Sequence, residues 1–203
     1  MSEGTPQIPK PRIQGLSDLI FGLALSIGAV QLVTNLPTQA GDLTADIYTF
    51  GFSFLILINV WNRYTSTTSV MPVETPAMVR LNMALLFLVA IEPFLFQVMI
   101  ANGFSKAVGV ESSLYYGLDI GGMNLILAYF VHLLAQEEKN LIPRELIGHY
   151  KGIRNNLIFG GAIFLASDFP LFTAVDIGGT PLRVILWILV LPVLWLPRLF
   201  GKG

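Results

Sequence analysis

The chain has 203 residues, 54% hydrophobic and 12% charged, with a mean hydropathy of +0.68 and a formal net charge of −1. Soluble domains carry about 25% charged residues, so half that share, with several long apolar runs, excludes a single soluble core. No basic face exists to neutralise phosphates, which excludes nucleic acid as a partner, and the absence of Cys excludes disulfides and thiolate metal sites.

Residues 1–11 are polar and Pro-rich and read as a cytoplasmic tail. The first apolar run covers 15–36. It is too long for a signal-peptide core and lacks a small-x-small cleavage site, so it reads as a membrane span. Further spans are expected at 46–64, 77–101, 114–135, 155–175 and 181–200. Each is near the roughly 20 residues that cross a bilayer. The expected fold is an all-α membrane protein, a six-span domain over 12–200 with a short cytoplasmic tail at 201–203.

Lys and Arg set the orientation. Lys10, Arg12, Arg63, Arg80, Lys139, Arg144, Lys151, Arg154, Arg198 and Lys202 fall on the side of the N-terminus, and only Lys106 and Arg183 on the other. This bias predicts that both termini are cytoplasmic.

Span one opens Arg12-Ile13-Gln14-Gly15-Leu16-Ser17-Asp18. Charged and polar groups at membrane depth are costly and tend to face protein or water. Trp61, Asn62 and Asn82 lie at the same depth, where spans two and three meet, and are expected to join Ser17 and Asp18 in a helix-stabilising network. Trp61 and Tyr64 also fit a simple interfacial belt. Beyond the polar foot, Leu23, Ser26, Ile27 and Val30 recur at helical spacing and share one face. That stripe is either ordinary packing or, in four copies around an axis, the wall of an ion pore.

Three acids lie within spans: Glu92 before Pro93, Asp119 at the outer mouth or an interface, and Asp168 before Phe169-Pro170. Each is either a proton relay or a carboxyl bonded to a neighbouring hydroxyl. His132 and His149 are too far apart in sequence for a zinc site by spacing alone. No P-loop, nucleophile elbow or His-Glu-x-x-His is present, so no enzyme is expected.

The opening of span one, with the six-span layout and the Trp and polar content where spans two and three meet, resembles the prokaryotic branch of the transmembrane protein 175 potassium channels. Their pattern is Arg-x-x-x-Phe-Ser-Asp, and Leu16 here stands at the Phe position. The resemblance implies a homotetramer in a prokaryotic cell membrane, with span one lining the pore. It implies passage of K+ and other monovalent cations without a Thr-Val-Gly-Tyr-Gly filter and without a cofactor. It places the constriction at Leu23, with Ile27 and Val30 as further apolar layers and Ser26 at the selectivity position. Modest K+ over Na+ selectivity is expected. A small proton-coupled carrier using Glu92, Asp119 and Asp168 is the alternative.

Overall fold

A computed structural model describes residues 12–34, 39–70, 76–104, 106–136, 141–177 and 180–190. The tails 1–11 and 201–203, and the part of expected span six beyond 190, lie outside the described residues. Five long helices come first: α1 (Arg12–Thr34), α2 (Ala40–Thr68), α3 (Pro76–Asn102), α4 (Ala107–Leu134) and α5 (Arg144–Ala166). A short α6 (Pro170–Ala174) follows, then strands β1 (Asp176–Ile177) and β2 (Thr180–Pro181), and a helix α7 described over 182–190.

Of these, α2, α3 and α4 are each long and apolar enough to cross a membrane. The chain is therefore an integral membrane protein. The helices outrun the expected apolar windows. A bilayer fixes only the apolar length, whereas a helix continues as long as its backbone bonds and packing continue. Thus α2 starts at Ala40 and takes in Asp42 and Asp46, and α5 starts at Arg144 within a stretch expected to be a polar connection.

Two features depart from an uninterrupted all-α chain. First, α5 ends at Ala166 rather than running on to 175. The Ser167 N–H bonds Ile163 O at 2.9 Å, and Pro170, which cannot extend a helix as a donor, opens α6 instead. Second, β1 and β2 pair antiparallel, Asp176 opposite Pro181 and Ile177 opposite Thr180.

Neighbouring helices run antiparallel and pack in chain order, α1 on α2, α3 on α4 and α4 on α5, while α1 also lies on α3. The α3–α4 turn depends on glycine. Gly103 has φ +65°, in the left-handed region, and its N–H caps Met99 O at 3.0 Å. Directly opposite, a Cβ on Gly109 would run into the Gly103 carbonyl, so the turn closes only without one. On α4 and α5, Gly121 and Gly161 let the two backbones approach: a Cβ on Gly161 would lie 3.2 Å from Gly121 O.

The core is aromatic. Phe52 of α2, Phe96 of α3, Tyr116 of α4, Trp187 of α7 and Phe164 of α5 follow one another at centroid distances of 5.9, 5.5, 5.4 and 5.8 Å. One ring from each of five helices thus ties the bundle together. Trp187 directs its indole Nε1–H to Ser167 Oγ at 2.8 Å, which fixes α7 against the end of α5.

Candidate functional site

The two faces of α1 differ in kind. Ser17, Phe21 and Ala24, spaced four and three, are buried against α2 and α3. Leu16, Leu19, Leu23, Ile27 and Val30 are all exposed on the far side, Leu23 and Val30 at 58% each.

Polar bonds pin the buried face at its foot. Ser17 is 0% exposed, and its Oγ accepts from Tyr64 Oη of α2 at 2.7 Å and from Asn82 Nδ2 of α3 at 3.2 Å. One hydroxyl therefore joins three helices. Beside it, Trp61 donates its indole N–H to Asp18 Oδ1 at 3.1 Å. One turn below, Gln14 Nε2 donates to Thr68 Oγ1 at 3.1 Å. One turn above, the Phe21 ring lies on the Tyr64 ring at 5.7 Å. These contacts form a ladder: Gln14, Ser17, Asp18 and Phe21 ascend α1 while Thr68, Tyr64 and Trp61 descend α2.

The structure thus brings together Ser17, Asp18, Trp61 and Asn82. Arg12 opens α1, but its side chain is outside the described set. Leu16 is exposed beside the network. Asn62 is exposed too. Its carbonyl accepts from Thr65 and Ser66 within α2, and its side chain stays out of the network among the described residues. Tyr64 is no belt residue; it is buried at 1% and holds Ser17. Gln14 and Thr68 were not assigned to the network from the sequence, and Tyr64 was read as a belt residue, although 61, 64 and 68 share a helix face by spacing.

On the exposed face, Ser26 donates its hydroxyl to Gly22 O at 2.7 Å. Its proton is engaged within the helix, which leaves the oxygen's lone pairs outward. No other polar side chain interrupts the exposed apolar stripe from Leu19 to Val30.

The acids sit elsewhere. Glu92 is 0% exposed inside the bundle. Its carboxyl accepts from Ser53 Oγ of α2 at 2.9 and 3.1 Å and from Tyr116 Oη of α4 at 3.2 Å. The hydroxyl partner expected for it is present twice over. Asp119 does not face a mouth. It is buried in α4, and neither carboxyl oxygen has a hydrogen-bond partner among the described residues. Asp168 lies beyond the end of α5, its carboxyl against Gly117, where a Cβ would come within 2.6 Å of Oδ1. The three acids lie around residues 116–119 of α4, and none is on the exposed α1 stripe.

Residues 12–93 match the model of a family described as "Endosomal/lysosomal potassium channel TMEM175". The whole chain also aligns with a whole chain of a crystal structure of a variant of the potassium channel MtTMEM175 in complex with a Nanobody-MBP fusion protein. The TM-score is 0.59, with 17% identical residues and 100% of both chains covered. That likeness is one of fold. No curated protein sequence matches.

Proposed function

We propose that the chain is a member of the TMEM175 family and the subunit of a potassium-permeable cation channel whose pore is lined by α1; the match of residues 12–93 to that family's model and the shared fold support this reading. The observation that carries this reading is the two-sidedness of α1. One face is fastened to α2 and α3 by polar bonds, and the other shows Leu16, Leu19, Leu23, Ser26 and Val30 at alternating spacings of three and four. That spacing is the seam by which helices meet around a common axis. The homotetramer implied by the family's pattern would place four such seams around one axis, with both termini on the cytoplasmic side.

In this assembly Leu23, Ile27 and Val30 form the constriction. Leu23 to Val30 covers about 10 Å of axis at 1.5 Å per residue. Rings of apolar side chains close a narrow neck by excluding water, and the neck conducts when it widens enough to be wetted. Ser26 interrupts the apolar layers with an oxygen whose proton is already engaged by Gly22 O, so a ring of these oxygens accepts a passing cation. One hydroxyl ring replaces only part of a hydration shell, so the selectivity for K+ over Na+ is modest. The chain has no Thr-Val-Gly-Tyr-Gly segment to supply carbonyl rings.

The test is K+ and Na+ flux into liposomes holding purified protein, wild type beside Leu23→Ala and Glu92→Gln. A channel of this build gives higher K+ flux in Leu23→Ala and little change in Glu92→Gln. Flux abolished by Glu92→Gln and indifferent to Leu23→Ala would replace it with the proton-coupled carrier.

A further inference from the structure

Helix α1 packs on both α2 and α3, while α2 and α3 meet each other far less. At the end of the bundle where α1 stops and α2 starts, the three helices leave a cleft of about 290 Å³. Asp46, Thr49, Phe50 and Ser53 line it from one side of α2, at helical spacing. Phe96 and Gln97 face them from α3. Gly28 and Leu32, one turn apart, close it from α1 on the side where Gly28 meets the Phe50 ring.

Along α2 the lining runs from a carboxylate to a hydroxyl, with a ring between. Asp46 is half-buried, and among the described residues its carboxylate has no hydrogen-bond or ion-pair partner. Seven residues on, Ser53 is nearly buried and gives its proton to Glu92 at 2.9 Å, so its oxygen has only lone pairs left to offer. Both rings are held from behind. Phe50 lies 5.7 Å from Phe54, and Phe96 lies 5.9 Å from Phe52 and 5.5 Å from Tyr116. A carboxylate, an accepting hydroxyl and fixed rings together favour a cation that carries apolar surface.

Spacing decides which cation. Asp46 and Ser53 stand about 10 Å apart along α2 at 1.5 Å per residue. A bare metal ion holds its oxygens at about 2–2.6 Å, so no two of them are more than about 5 Å apart. The cleft is too long for one ion, and its volume is at the small end of ligand pockets.

We propose that this cleft binds a small organic ammonium ion, with its charged head on the Asp46 carboxylate, its apolar body between Phe50 and Phe96, and a donor at its far end on Ser53.

The probe is tyramine, which has an ammonium head, a ring and a far hydroxyl. The full chain, purified in neutral detergent, is titrated with it at constant ionic strength, beside its neutral isostere tyrosol and ammonium chloride. The thermal midpoint is the readout. Tyramine is expected to raise the midpoint saturably, and tyrosol and ammonium chloride to leave it unchanged. Asp46→Asn removes the charge and keeps the shape, and weakens the apparent affinity for tyramine about tenfold or more. Thr49→Phe keeps Asp46 and fills the cleft, and is expected to abolish the response. The proposal is overturned by a wild type indifferent to tyramine, by tyrosol or ammonium chloride matching it, or by either variant responding as wild type does.

Discussion

At the scale of single residues, Ser17 shows how a small polar group organises larger ones. Removing it takes a shared acceptor away from two buried donors at once, Tyr64 Oη and Asn82 Nδ2. A buried donor left without its acceptor costs about 1–3 kcal/mol, whereas losing one net hydrogen bond costs about 1 kcal/mol. Ser17→Ala is therefore expected to lower the thermal midpoint more than Tyr64→Phe, which removes a donor and leaves Ser17 with Asn82. Equal shifts would show that the hydroxyl is not the centre of the network. On the other face, Ser26→Ala deletes the one oxygen among the proposed pore layers. It should lower K+ flux in liposomes while leaving the midpoint within about 0.5 kcal/mol of wild type, as for a surface site. Ser17, Asp18, Trp61 and Asn82 were legible because polar groups at the foot of a span must find one another. Tyr64 was not, because a ring with a polar tip suits a membrane interface as well as a buried bond. Asn62 was misread for a plainer reason. One step along a helix turns the side chain by about 100°, so the neighbour of Trp61 points away from what Trp61 touches.

At the scale of elements, hydropathy located the helices and missed their ends. The stretch from Arg144 to Asn156 carries charge every few residues and resembles a connection, yet it is helical because Pro143 sets its start and Ile147 and Leu157 bury one side. The stop of α5 was written in Pro170, but where the helix would yield before it was not. The α3–α4 turn gives a sharper test. Gly109→Ala forces a methyl onto the Gly103 carbonyl and must open the turn, with a loss of about 1–3 kcal/mol typical of overpacking. Gly51→Ala, inside α2 with open space around its Cβ, should instead gain about 0.5–1 kcal/mol. Thermal midpoints of the two variants moving in opposite directions would confirm that backbone proximity, not helix propensity, governs the first.

At the scale of the whole molecule, the sequence yielded the membrane class and the segment that carries the family's pattern. The number of subunits was not legible, because it depends on the angle at which identical faces meet and no residue spacing encodes a count. Asp18 offers a handle on assembly. It fixes the exposed rim of the α1–α2 ladder through Trp61, next to Leu16 on the outward stripe. If the chain assembles as the proposed tetramer, Asp18→Ala should lower the fraction of that assembly measured by light scattering after size exclusion; wild-type assembly in that variant would remove the rim from any part in subunit contact.

The ladder has one more consequence. Among the described residues, every polar bond from α1 to a neighbouring helix lies between Gln14 and Asp18, and farther along Gly28 meets only the Phe50 ring, 3.5 Å from where a Cβ would stand. A rod held by polar bonds at one end and by apolar packing beyond them can tilt as a lever about Ser17. From there to Val30 the arm is about 20 Å at 1.5 Å per residue, so a tilt of about 5° sweeps Val30 through nearly 2 Å and Leu23 through about half that. Four such levers would dilate a neck most at its far end, like the blades of an iris hinged on one rim, without breaking a single bond in the clamp.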